Sequence, residues 1–337
     1  MQDIDRHPVA EHNAMIEQIP VIDLADVLCD ASSTAALTAV DQIANACKTW
    51  GFFQVVNHGI DAVLIDKVWQ QTRALFALPI EEKLEIERSR DNPWGFYNRE
   101  LTKNQRDKKE VFDFTRQDFD PIYQQHNRWP QRHPDVKTTM LAYQEACTEL
   151  SLNLLNAFCV GLDLPADYLH PQFEGNHTGF VRLNYYPVKD PLADANTAQE
   201  QIADLGIHHH TDAGALTVLL QDEVSGLQVY RDGLWYDVPT VEGAITINTG
   251  DMMQVWSNDI YQAAIHRVRA MQERERYSIP FFLNPAADCR VSPLPSVISA
   301  DNPCRYQPII WGDYRGRRSD GDFADYGTEV QISQYRI

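Results

Sequence analysis

After Gly179 the chain breaks into short apolar runs at close intervals: FVRLNYYP, ALTVLL, GLQVY, LWYDV, AITIN, MMQVW, AIHRVRA and YSIPFFL, separated by Gly, Asp, Asn and Ser. Many short strands punctuated by turn residues predict a β-sandwich, jelly roll or barrel. The first half reads differently. Thr34 to Thr49 carries Leu37, Val40, Ile43, Ala44 and Cys47 as a helical stripe, and Phe52 to Asn57 follows as a strand. Asp61 caps a second helix with Leu64, Val68 and Leu75, and Val136 to Val160 is a long third one. Asn92 to Phe114, polar and dense in charge, is expected to be irregular or an edge strand. The fold class is therefore α+β with a mainly β core, a helical layer packed on a sandwich.

Composition removes several functions. The 48 acidic against 29 basic side chains give a net charge of −19, whereas nucleic-acid binding needs concentrated Lys and Arg. No apolar run approaches a membrane span, and the start lacks the pattern of a secretory signal. Six scattered cysteines without a C-x-x-C pair fit free thiols in a reducing compartment, so a cytoplasmic protein is expected. Glycine-rich nucleotide-binding loops and the G-x-S-x-G elbow are absent.

One cluster stands out: Ile207-His208-His209-His210-Thr211-Asp212. In an extended segment, residues two apart share a face, so His210 and Asp212 can present an imidazole and a carboxylate to one point. His208 and His210 share a face equally, and spacing alone leaves that register open. His266, in the strand-like AAIHRV, is the candidate third ligand. Two His and one carboxylate leave three coordination positions free, the arrangement of non-heme Fe(II) oxygenases. Ten residues further on, Arg276 and Ser278 share a face, and a guanidinium fork beside a hydroxyl suits a carboxylate.

The segments IPVIDL (Ile19 to Leu24), GFFQVVNHGI (Gly51 to Ile60), RLNYYP (Arg182 to Pro187), HTDAGALTVLLQD (His210 to Asp222), GLQV (Gly226 to Val229), INTGDMMQVWSND (Ile247 to Asp259), HRV (His266 to Val268) and RYSIPFFLNP (Arg276 to Pro285) together carry a resemblance. In order and spacing the chain resembles the plant-type 2-oxoglutarate/Fe(II)-dependent dioxygenases and isopenicillin N synthase, over nearly its whole length. The resemblance implies a double-stranded β-helix (jelly roll) wrapped by N-terminal helices. Residues 1–175 would form the N-terminal lobe, 176–290 the catalytic core and 291–337 a tail, in one compact unit. It implies Fe(II) ligands at His210, Asp212 and His266, with HTD fixing the register. It implies 2-oxoglutarate held by Arg276 and Ser278, with Asn184 and Tyr186 beside it, and O2 as co-reactant, with ascorbate stimulating turnover. His58, Gly226 and Gly250-Asp251 are read as scaffold and turns.

The function this implies is oxygenation of a small organic molecule, by hydroxylation, desaturation or ring closure, with release of succinate and CO2. An Fe(II) oxidase of the isopenicillin N synthase type, independent of 2-oxoglutarate, is the alternative, and a non-catalytic jelly-roll binding protein a remote one. Phe282, Phe96, Tyr97 and Arg99 are candidate substrate contacts. With Arg99 and Lys103 as the few cations expected near the pocket, an apolar or aromatic substrate is favoured over an amino acid.

Overall fold

The structure, a computed structural model, describes the chain except residues 1–3, 11–18, 30–32, 103, 117–118, 121, 191, 193–204 and 325–329. Three helices lead. Helix α1 (Thr34–Thr49) starts where the Ser33 hydroxyl accepts from the Ala36 amide. Helix α2 (Ala62–Phe76) starts where Asp61 accepts from Val63, and α3 spans Pro134–Val160. On α1 the buried stripe is Ala36, Val40, Ile43 and Cys47. Leu37, placed on that stripe by the sequence, sits one residue off it and is exposed.

Eight strands form the larger sheet: β1 (Val21–Asp23), β2 (Phe52–Val56), β3 (Gly95–Tyr97), β4 (Glu110–Thr115), β5 (Phe180–Tyr186), β7 (Leu216–Gln221), β10 (Ile245–Thr249) and β12 (Arg276–Leu283), in the order β1-β2-β10-β7-β12-β5-β4-β3. The smaller sheet holds β6 (Leu205–His210), β8 (Leu227–Arg231), β9 (Leu234–Asp237) and β11 (His266–Arg269), in the order β6-β11-β8-β9. Together they make the jelly roll, with the helices against the larger sheet. Apolar residues fill the centre of that sheet, where Val218 of β7 lies between Ile247 of β10 and Phe281 of β12. Four of its strands precede residue 176, so the N-terminal lobe contributes sheet as well as helix. Of the stretch Asn92 to Phe114, β3 is an edge as expected. Strand β4 is not, since it pairs with both β3 and β5.

Two sequence expectations fail between Gly250 and Trp256. The run MMQVW is helix α4 (Asp251–Trp256), not a strand, and Asp251 is fully buried and helical where a turn was expected. A short apolar run carries no period that separates the two forms. The local geometry does: the amides of Asp251 and Met252 donate to the carbonyls of Asp212 and Gly214 at 2.8 and 3.0 Å, which starts a helical turn against the metal-side loop. A Cβ on Gly250 would meet Gly214 O at 2.3 Å, so only glycine lets the two segments approach this closely.

The tail forms helix α5 (Trp311–Asp320) and folds back over the open end of the roll. Trp311 Nε1 donates to Thr178 Oγ1 at 2.6 Å and Tyr314 donates to the buried Asp251 carboxylate at 2.7 Å. Among the described residues, no helix is long and apolar enough to cross a membrane.

Candidate active site

His210 closes β6, Asp212 follows in the loop, and His266 opens β11 directly opposite His210 in the antiparallel register. A cross-strand pair brings side chains close enough to share one partner. The Nε2 atoms of His210 and His266 lie 3.7 and 3.6 Å from Asp212 Oδ1. The three ligand atoms fall within 4.8 Å of one another, the one such group among the described residues.

The remaining hydrogen bonds aim these atoms inward. His210 Nδ1 contacts the His208 carbonyl at 2.8 Å and His266 Nδ1 the Ala264 carbonyl at 3.0 Å. A carbonyl only accepts, so each Nδ1 carries a proton and Nε2 is the atom turned toward the shared point. Asp212 Oδ2 accepts from Thr217 Oγ1 at 2.5 Å and Asn248 Nδ2 at 2.8 Å, which turns Oδ1 toward the histidines. Burial, with His266 alongside, lowers the His210 pKa to about 3, so its ring is neutral near pH 7. Burial by itself would raise Asp212, but the two histidines and the Asn248 and Thr217 bonds hold it below the ordinary carboxylate value. Two imidazoles with one carboxylate form a donor set that fits a divalent iron.

The flanking histidines go elsewhere, which settles the register left open by spacing. His208 is buried against Asp107, 3.1 Å from its Nδ1, and His209 Nδ1 lies 2.7 Å from Asp5 Oδ2.

Next to the triad, strands β5 and β12 set two cross-strand pairs into the same cavity, Arg276 opposite Tyr186 and Ser278 opposite Asn184. Arg276 is fully buried. Its Nη2 donates to Gln221 Oε1 at 2.7 Å and its Nε to the Val224 carbonyl at 3.1 Å, while Nη1 has no partner. Asn184 Nδ2 donates to Ser278 Oγ at 3.3 Å and its Oδ1 is likewise unpaired. A buried guanidinium nitrogen left open beside a hydroxyl is what a carboxylate-bearing cosubstrate would fill.

The cavity, about 210 Å³, is closed by Phe282, Phe180 and Trp94 on one side and by α5 on another. Phe282 stacks on Phe180 at 4.6 Å. Phe96, Tyr97 and Arg99 do not line it. Phe96 pairs with Phe112 across the sheet, inside the core; Tyr97 packs on Phe323; Arg99 pairs with Glu87 near the surface. Lys103 lies outside the described residues. The expectation of few charged anchors is also overturned, because Arg88, Lys109 and Arg182 reach the cavity together with Glu100, Asp113 and Asp322. These six interlock. Arg182 spans Asp113 and Glu100, Arg88 bonds Asp113 at 2.6 Å and Glu100 at 2.9 Å, and Lys109 bonds Glu100 at 2.7 Å. Burial would raise Glu100, yet the three cations hold its carboxyl well below the ordinary range.

The tail residues Trp311, Arg315, Arg318, Ser319 and Asp322 also line the cavity. Their spacing of four, three, one and three is helical, a signal present in the sequence but carried by polar residues.

A jelly roll with this triad is the frame of a mononuclear iron oxygenase, and comparison with known proteins agrees. Residues 177–285 match the 2OG-Fe(II) oxygenase superfamily, and residues 19–135 match a family described as non-haem dioxygenase in morphine synthesis N-terminal. The chain belongs to the 2OG-Fe(II) oxygenase superfamily. It is 35% identical to flavanone 3-dioxygenase 2 of Oryza sativa subsp. japonica, over 88% of this chain and 82% of the relative. A crystal structure of JOX2 in complex with 2OG, Fe and JA superposes with a TM-score of 0.79 at 29% identity, covering 99% of this chain and 93% of the other. A full-length Neurospora crassa protein crystallised with alpha-KG and thymine gives 0.78 at 28%, covering 90% and 96%. The protein is thus an Fe(II)- and 2-oxoglutarate-dependent dioxygenase.

Proposed function

We propose that the enzyme hydroxylates a small organic molecule with a flat or ring-bearing apolar body, with desaturation or ring closure as variants of the same chemistry. The observation that carries this reading is one cavity shared by the His210, Asp212 and His266 ligand atoms, the open Arg276 nitrogen and the stacked rings of Phe282 and Phe180. JOX2 and the Neurospora protein were crystallised with JA and thymine, both small molecules, which supports a substrate of that size.

In this reading His210, Asp212 and His266 hold the iron by three positions and leave the rest to cosubstrate and O2. Arg276 and Ser278 hold the far carboxylate of 2-oxoglutarate, the guanidinium through its free nitrogen and the serine through its hydroxyl proton. Asn184 fixes the Ser278 hydroxyl, and the ring of Tyr186, 5.0 Å from the Arg276 guanidinium, keeps that fork in place. Bound iron with 2-oxoglutarate and O2 supplies the oxidising power, with succinate and CO2 released. Phe282, Phe180 and Trp94 exclude water and orient the substrate face, while α5 covers the entrance. The neighbours crystallised with 2OG or alpha-KG favour this reading over an oxidase independent of 2-oxoglutarate. We also read the protein as cytoplasmic and as one catalytic unit of lobe, core and tail. The test is O2 uptake and succinate release with Fe(II), ascorbate and 2-oxoglutarate; O2 uptake that proceeds unchanged without 2-oxoglutarate would favour the oxidase instead.

A further inference from the structure

Arg315 sits in the middle of the α5 stripe and is buried, yet it faces the cavity. Among the described residues its guanidinium bonds through Nη1 alone, to Asp120 Oδ2 at 3.2 Å and to the Thr178 carbonyl at 3.5 Å. Nε and Nη2 are left over. The group also lies 5.2 Å from the ring centres of both Trp94 and Phe180, so it crowns the aromatic wall that ends in Phe282. Three residues on, one helical turn away on the same face, Arg318 lines the cavity too. Its Nη2 donates at 3.2 Å to the carbonyl of Thr211, the residue between ligands His210 and Asp212.

The acidic groups that share the cavity do not cancel this face. Glu100 is held by Arg88, Arg182 and Lys109, and Asp113 by Arg88 and Arg182. The two helix arginines therefore confront the space beside the aromatic wall. A planar guanidinium with two nitrogens open matches a planar carboxylate, and the rings below it match a flat body.

We propose that the substrate is a small ring-bearing carboxylic acid, its carboxylate bound by Arg315 with Arg318 reinforcing it, and its ring laid on Phe180 and Phe282. This rests on the oxygenase reading above and narrows it to one chemical class. The acid group then fixes which carbon of the body faces the metal triad.

The experiment uses the full chain loaded with Mn(II) and 2-oxoglutarate, and first measures 2-oxoglutarate binding by calorimetry. Failure at that stage would sink the oxygenase reading itself. The loaded protein is then titrated with a panel of flat acids (phenylpropanoic, indole-3-carboxylic, naphthoic and cyclopentylacetic) alongside their methyl esters and primary amides. Acids should bind roughly ten-fold or more tightly than their esters, the worth of a charge-assisted bond. Arg318→Gln should shrink that preference several-fold and Arg315→Gln should abolish it, whereas Arg336→Gln, on the distant Asp259 cluster, should keep it. The wild-type acid-to-ester ratio needs no variant, so an unfolded Arg315→Gln leaves the test intact. Equal binding of acids and esters, a preference for amides, or no binding by any acid while 2-oxoglutarate binds normally would overturn the proposal.

Discussion

The two walls of the cavity hold their residues in different ways. On the metal side, His210 and His266 face each other across paired strands, and each ring is pinned by a carbonyl two residues earlier in the chain. Position there follows from register, which moves only if a whole strand slips. On the tail side, one helix carries Trp311, Tyr314, Arg315 and Arg318, docked through side-chain bonds to Thr178, Asp251, Asp120 and Thr211. Those residues can change without disturbing a sheet. The metal triad thus sits on the part of the fold that tolerates least, and the cavity's tail wall on the part that tolerates most.

The largest effect should come from the metal wall. His210→Ala, Asp212→Ala and His266→Ala should each abolish iron binding and turnover, read by iron content and succinate release, because three ligands leave no redundancy. His208→Ala and His209→Ala should keep iron, with His208→Ala losing ~1–3 kcal/mol of stability as Asp107 is left with fewer partners in the core. Loss of iron from His208→Ala alone would break the comparison at its base.

A second test falls on the interlocked charges joining the two walls. Arg88→Gln should cost ~1.5–3 kcal/mol in urea unfolding, since it removes one of the two cations on Asp113 and one of the three on Glu100. Arg276→Lys should raise KM for 2-oxoglutarate by roughly ten- to a hundred-fold, as an ammonium cannot reproduce the fork; an unchanged KM would remove Arg276 from the cosubstrate site.

The smallest effect sharpens the tail side. Burial and the neighbouring Glu100 raise the Asp322 carboxyl to about 7, with Arg88 and Arg182 pulling the other way. A carboxyl whose pKa is higher folded than unfolded stabilises the fold while protonated, and that stability falls as pH climbs from the unfolded value through about 7. Asp322→Asn should therefore flatten the fall in Tm between about pH 5.5 and about pH 8. A slope equal to that of the wild type would place Asp322 outside the cluster's electrostatics.

The same contrast explains what could be read in the sequence. Strand residues announce themselves by alternation and turn punctuation, so the jelly roll, His266 and the Arg276–Ser278 face were all legible. Which of His208 and His210 points inward was not legible from alternation, which both obey; the resemblance through HTD named His210, and Asp107, one hundred and one residues away, holds His208 aside. The tail stripe escaped because apolar periodicity is the usual guide to a helix face, and here the face is Arg, Ser and Asp. Phe96 and Tyr97 misled for the opposite reason, since an aromatic suits a core as well as a pocket. MMQVW misled because an unbroken apolar run fits either element, and the carbonyls of Asp212 and Gly214 that start the helix lie outside the run.

The order of strands in the larger sheet bears on how the chain is made. Strand β2 leaves the ribosome early, yet Phe53 pairs with Ile247, about 190 residues later in the chain. At roughly 5–20 residues per second, translation leaves that strand with β1 alone and without β10 for on the order of ten to forty seconds. It offers Phe52, Phe53 and Val55 to its surroundings throughout, all of them wholly buried once the sheet closes. Recombinant yield should accordingly respond to growth temperature and chaperone supply, with aggregates seeded by nascent chains that halt before residue 245.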